Sequence, residues 1–376
     1  MSAERIPYLL TPGPLTTSAA VKEAMQRDWG SRDETFIAMN REILDRLTAL
    51  ANAGATHVCV PIQGSGTFAV EAALGTLVPR DGKLLVLVNG AYGTRMVDIA
   101  RTMGCAVQTI EWREDHVVDP RAVANRLADD AHITHVAVVH CETTSGILNP
   151  LDAVARVVAE HHRSLVVDAM STFGALTLDA RATPFDAVVA SSNKCLQGVP
   201  GFGFALIRQE VLERCEGNAH SLSLDLFAQW RGFEKNGQWR FTPPTQVVAA
   251  LLQALDEHAN EGGVAGRGAR YALNHRTLVD GMEKMGFRCL VARAEQAPII
   301  VTFLMPGDPN FKFDDFYDRL RDKGFLIYPG KLTVADSFRI GCIGDLGAEQ
   351  IREALDAISS TMDEMGVTSG APGEAV

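Results

Sequence analysis

Lys194 stands in the run Ser191-Ser192-Asn193-Lys194-Cys195-Leu196-Gln197-Gly198-Val199-Pro200-Gly201. The short apolar stretch Ala187 to Ala190 precedes it, and glycines and a proline follow. This pattern predicts a strand ending in a sharp turn that carries the amine. A lysine held there and partly desolvated loses basicity and can condense with an aldehyde cofactor. Asp168 closes a second buried-strand pattern, Val166-Val167-Asp168, and offers a carboxylate to a cationic ring nitrogen. Gln63-Gly64-Ser65-Gly66-Thr67 leads small residues into a helical run, whose free backbone N–H groups suit a phosphate. In Asn89-Gly90-Ala91-Tyr92-Gly93-Thr94-Arg95, a turn after the strand Leu84–Val88 sets an aromatic ring where it can stack on a flat cofactor.

Taken singly, each signal has a plainer role. The lysine could lie on the surface, the aspartate could cap a helix, the glycines could form an ordinary turn, and the tyrosine could pack. Their common order is phosphate turn, aromatic turn, aspartate, lysine, each at the end of a predicted strand. That order points to pyridoxal 5'-phosphate. Here the chain resembles the fold-type I pyridoxal-phosphate enzymes, and among them the class V aminotransferases. It is most similar to the branch that moves the amino group of 2-aminoethylphosphonate to pyruvate. The similarity is carried by Leu9 to Pro14, Asp28 to Asp33, Met170 to Gly174, Arg240 to Gln246 and Phe338 to Asp345.

The resemblance implies a role for each of these residues. Lys194 would form the Schiff base and then shuttle the proton, and Asp168 would pair with the ring nitrogen. Ser65, Gly66 and Thr67 would bind the phosphate, Tyr92 would stack on the ring, and Thr143 would bond the phenolic oxygen. Asn193 replaces a histidine or glutamine found in many relatives, and is shorter. Thr242 would reach the phosphate of a neighbouring subunit, which implies a homodimer with shared active sites. Arg339 would bind a substrate carboxylate or phosphonate in a bidentate fork, with Arg32 as a second candidate for the phosphonate. Glu142 fits either chemistry or structure. The implied products are phosphonoacetaldehyde and L-alanine, a step of phosphonate catabolism.

Rival readings share part of this set. An alanine– or serine–glyoxylate aminotransferase would use almost every cofactor residue. A cysteine desulfurase would need a cysteine in a mobile loop, for which Cys342 is the candidate. A non-catalytic pyridoxal-phosphate-binding or carrier protein would have no use for Arg339.

These residues need a scaffold that gathers strand ends. From about residue 55 to 210, near-continuous apolar runs alternate with amphipathic stretches. This predicts an α/β fold with a mostly parallel sheet covered by helices on both faces, whose ligands bind beyond the carboxyl ends of the strands. The polar, glycine-rich segment 258–266 marks a domain boundary. The expected organisation is a large pyridoxal-phosphate-binding domain over 18–257, a smaller α/β domain from 1–17 and 258–366, and a disordered tail over 367–376. Arg339 is expected at a strand end of the smaller domain.

Composition excludes other classes. With 47% hydrophobic and 22% charged residues the chain is that of an ordinary globular protein. A net charge of −11 argues against a nucleic-acid-binding footprint. The seven cysteines form no CxxC pair, so neither a disulfide framework nor a metal site is expected. Cys195, beside the lysine, reads as a packing residue. The N-terminal residues lack a signal-peptide pattern and no apolar run reaches the ~20 residues that span a bilayer, so a cytoplasmic location is expected.

Overall fold

The computed structural model describes residues 6–331 and 335–373. Seven strands form the main sheet: β1 (His57–Gly64), β2 (Lys83–Val88), β3 (Ala106–Glu111), β4 (Ile133–Val139), β5 (Ser164–Asp168), β6 (Ala187–Ser191) and β7 (Gly201–Arg208). Their order across the sheet is β1-β7-β6-β5-β4-β2-β3. All pairings are parallel except those of β7, which runs antiparallel to both β1 and β6.

The unbroken apolar character of these strands follows from burial on both faces. Successive side chains point to opposite sides. Leu85, Leu87, Val136, Val138 and Val167 join one core, while Leu84, Val86, Ala137, Val139 and Val166 join the other. Helices cover both. Of these, α1 (Glu34–Leu50) is capped by the Asp33 carboxylate. Next come α2 (Gly66–Leu77), α3 (Ala91–Thr102) and α4 (Pro120–Asp129). Helix α4 begins with Asp119 at its N-cap and Pro120 in its first turn.

The segment around 258–266 is not an extended linker. Helix α5 (Thr245–Asn260) stops at Glu261–Gly262, and α6 (Gly263–Lys284) starts at once, with Gly262 at φ +99°. Beyond α6, β8 (Ile300–Leu304), β9 (Tyr328–Pro329) and β10 (Ser337–Gly341) form an antiparallel sheet in the order β8-β10-β9. Phe287, Phe303, Phe316 and Phe338 fill its core. Tyr8–Leu9 pairs in parallel with Phe325–Leu326, and Gly341 N–H donates to the Leu10 carbonyl at 2.9 Å. The N-terminal segment is therefore built into this second sheet region.

Two expectations change. Arg339 lies within β10, opposite Thr302 and Tyr328, rather than at a strand end. Residues 367–373, expected to be disordered, dock instead: Gly307 N–H donates to Ala371 O at 2.8 Å, Gly370 N–H to Met285 O at 2.9 Å, and Thr368 N–H to Asp308 at 2.9 Å. These bonds use the tail's main-chain groups, which its polar, glycine-rich composition does not reveal. Residues 1–5 and 374–376 lie outside the described residues.

Candidate active site

The carboxyl ends of β1, β2, β4, β5 and β6 all face one edge of the sheet, and a cavity of about 190 Å³ opens there. Ser65, Gly66, Thr67, Tyr92, Thr143, Asp168, Asn193 and Lys194 all line it. Residues from five separate turns thus meet because parallel strands end together.

Lys194 sits in the turn between β6 and β7. Main-chain bonds close that turn, from Gln197 N–H to Lys194 O and from Gly198 N–H to Ser192 O, both at 2.8 Å. Burial pushes the amine down to about 8, since an enclosed site penalises the ammonium form. Its Nζ donates to the Pro12 carbonyl at 2.5 Å. Asp168 ends β5, and one carboxylate oxygen accepts Met170 N–H at 2.9 Å. Burial raises its pKa to about 6, while the nearby Lys194 and Arg95 pull the other way.

Ser65 caps α2 by position but makes no side-chain cap bond. The N–H groups of Gly66, Thr67 and Phe68 therefore have no acceptor within the helix. Arg95 Nη1 donates to Thr67 Oγ1 at 3.1 Å, and its guanidinium lies 4.8 Å from the Tyr92 ring centroid. The cavity thus joins a positive end at α2 and Arg95 to a carboxylate at Asp168, with an amine of lowered basicity between the walls. An anionic phosphate, a cationic ring nitrogen and an aldehyde match that set, so the residues fit pyridoxal phosphate.

Glu142 is structural support for this wall. One carboxylate oxygen accepts from Tyr92 N–H at 3.1 Å and Gly93 N–H at 3.4 Å, and the other from Thr144 Oγ1 at 2.7 Å. Gly90 makes room: a Cβ there would stand 2.2 Å from Glu142 Cγ. Glu142 therefore caps the first turn of α3, whose own N-cap residue offers no side-chain bond. Its burial raises its pKa to about 7.

Arg339, on β10, is buried and bonds to the cavity wall from behind without lining the cavity itself. Its Nη1 donates to the Thr143 carbonyl at 3.0 Å and its Nε to Pro329 O at 3.1 Å. Nη2 makes no bond among the described residues. Arg32 and Thr242 are exposed, on the turns before α1 and α5, and do not line the cavity of one chain. Cys195 is buried, donates to Ser171 O at 3.1 Å, and burial pushes its thiol up to about 12. Cys342 is likewise fully buried with its pKa raised. Neither thiol is placed to act as a nucleophile. No cluster of metal-ligating side chains occurs among the described residues, and no described helix is long and apolar enough to cross a membrane.

Arg95 and the Pro12 carbonyl were missing from the residues that the motifs single out. Arg95 was legible: it stands three positions after Tyr92, on the same helix face. The Pro12 carbonyl's role left no local signal, because its contact with Lys194 spans 182 positions.

Residues 18–334 match the family described as aminotransferase class V. The chain is 55% identical, over 96% of each chain, to 2-aminoethylphosphonate–pyruvate transaminase 2 of Burkholderia lata. It is 52% identical to 2-aminoethylphosphonate–pyruvate transaminase of Pseudomonas aeruginosa, over 97% of this chain and 99% of that one. Its fold superposes on alanine–glyoxylate aminotransferase from Nostoc sp. with a TM-score of 0.89 at 24% identity, covering 96% of each chain.

Proposed function

The chain belongs to the class V aminotransferases, and from that premise we propose that it transfers the amino group of 2-aminoethylphosphonate to pyruvate, giving phosphonoacetaldehyde and L-alanine. The 55% identity with the Burkholderia lata transaminase across 96% of both chains carries this reading. The enzyme depends on pyridoxal phosphate. When bound, the cofactor supplies an aldehyde for the amino group and a ring that draws electrons from the carbon attached to it.

The protein's own residues do the rest. Asp168 holds the ring nitrogen, and the free N–H groups of α2 with Ser65 and Thr67 hold the phosphate. Asn193 adds a polar edge beside the lysine. Thr143 bonds the phenolic oxygen, while Tyr92, fixed by Glu142, covers the ring. Lys194 Nζ anchors the cofactor, and once free takes the proton from the substrate carbon that bears nitrogen. A positioned base of this kind contributes roughly 10²–10⁴-fold.

2-Aminoethylphosphonate has no carboxylate on that carbon, so its anion must be caught further out. Arg339 serves the phosphonate first and the pyruvate carboxylate second. Thr242 and Arg32, both exposed in one chain, enter the site across a homodimer: Thr242 toward the partner's phosphate, Arg32 toward the phosphonate. In this reading residues 18–257 form the cofactor domain, residues 1–17 with 258–366 form the domain that brings Arg339, and the enzyme works in the cytoplasm in phosphonate breakdown.

Stopped-flow spectra of each half-reaction test the assignment. The cofactor is expected to convert fastest with 2-aminoethylphosphonate, and the product to reconvert with pyruvate. Faster conversion by L-serine or L-alanine, with glyoxylate as the better acceptor, would assign the chain to the glyoxylate-linked branch instead.

A further inference from the structure

The Lys194 amine is held by a part of the molecule remote from its own turn. Its Nζ donates to the carbonyl of Pro12 at 2.5 Å, and the next residue lies flat against the lysine stem. A Cβ on Gly13 would stand 2.8 Å from Nζ and 3.0 Å from both Cδ and Cε, and its φ of +132° also favours glycine. The loop that presents this carbonyl is tightly tied. Leu9 N–H donates to Thr16 Oγ1 at 2.8 Å, and the Thr11 hydroxyl donates to Pro14 O. Gly341 N–H bonds Leu10 O at 2.9 Å, and Asp345 N–H bonds Thr16 O at 2.8 Å.

Those ties lead to β10 and the residues just after it. The strand that carries Arg339 therefore also anchors the loop that receives the lysine. We propose that the Pro12 carbonyl is the resting acceptor of the Lys194 amine, and that Thr11–Pro14 is a positioning loop that keeps this amine in place whenever it is not bound to the cofactor. The inference rests on the role of Lys194 set out above. Turnover frees that amine in each half-reaction, and a flexible lysine with no acceptor would spend its time in unproductive rotamers. A carbonyl fixed to the β10 region returns it to one position, on the side from which the N-terminal loop approaches.

The test compares the cofactor-free wild type with Gly13→Ala. Lys194 is labelled with trace acetic anhydride across a pH series and quantified by peptide mass spectrometry against the other lysines of the same sample. Pushing the loop off the amine is expected to speed Lys194 labelling by about tenfold, the scale of one lost hydrogen bond. Labelling at the wild-type rate throughout the series overturns the inference. A second measurement needs no variant. Hydrogen exchange of peptides spanning 10–16 is expected to quicken once borohydride has fixed the cofactor on Lys194 and drawn the amine away; unchanged exchange overturns the proposal. If borohydride fixes the cofactor on a different lysine, the functional reading fails and this inference falls with it. Fixation on Lys194 with both readouts unmoved leaves the functional reading standing and removes the positioning loop alone.

Discussion

Arg339 and Thr143 tie β10 directly to the wall of the cavity, the guanidinium Nη1 donating 3.0 Å to the Thr143 main-chain carbonyl. The arginine on β10 is thus aimed by the residue expected to bond the cofactor's phenolic oxygen. Two of its donors are spent on backbone carbonyls, which fixes the plane of the fork for an incoming anion.

Arg339→Ala is expected to lower kcat/KM for both 2-aminoethylphosphonate and pyruvate by about ten- to a hundred-fold, corresponding to about 1.5–3 kcal/mol for a charged hydrogen bond. Arg339→Lys is not expected to restore activity, since an ammonium cannot make both carbonyl contacts and a fork. Separate half-reaction kinetics check this, and a loss confined to one half would break the shared-anchor assignment.

The lowered basicity of Lys194 gives a pH signature. Cofactor uptake by the cofactor-free protein needs the neutral amine, whose pKa lies near 8. The uptake rate is expected to rise about tenfold per pH unit below that point and level off above it. Lys194→Ala is expected to bind the cofactor through its phosphate without forming the covalent link, whereas borohydride followed by peptide mapping of the wild type is expected to find the label on Lys194.

Glu142 and Asp168 carry the opposite sign. Both pKa values are raised by burial, to about 7 and about 6, so the folded protein keeps protons that the unfolded chain has released. The stability they contribute is fully present below the ordinary carboxylate range and is lost as pH rises through those values. In thermal unfolding of the cofactor-free protein, wild type is expected to lose ground to Glu142→Gln as pH climbs from about 4.5 to above 7. A pH-independent difference would show that Glu142 stays ionised. The same variant keeps one acceptor for Tyr92, so cofactor binding is expected to weaken rather than vanish.

Thr242 tests the dimer. Thr242→Ala is expected to reduce cofactor retention on dialysis without altering the fold, and Arg32→Ala to slow the phosphonate half-reaction more than the pyruvate half. A wild type that sediments as a monomer with full activity removes both roles.

The chemistry was legible because its carriers are local. Lys194, Asp168, Tyr92, Thr143 and the Ser65–Thr67 turn each follow a strand whose apolar run is plain, and parallel strands deliver such ends to one edge. What stayed hidden is carried by contacts across long stretches of chain. The capping role of Glu142 depends on Gly90, Tyr92 and Thr144 meeting it in space. The interior position of Arg339 depends on the partners of β10. The polar, glycine-rich run around Gly262 marks a boundary in the sequence, but glycines accompany loose segments and sharp helix junctions alike, so the immediate restart of α6 was not legible. The docking of 367–373 went unread because short polar runs encode hydrogen bonds without periodicity.

The reversed strand β7 sets when the site can exist. Its register places Gly201 opposite Gly64 and Gly203 opposite Ser191, so it fastens the phosphate turn to the lysine turn. A slip of one residue would turn every side chain of β7 to the wrong face and misalign the two turns. β1 leaves the ribosome long before β7, yet the two are neighbours in the sheet. A growing chain that stops short of Gly201 therefore lacks the strand that separates β1 from β6, however well its first helices have formed. Cofactor capture is accordingly a late event in the life of the chain, and competence to bind it reports that the long-range pairing has closed correctly.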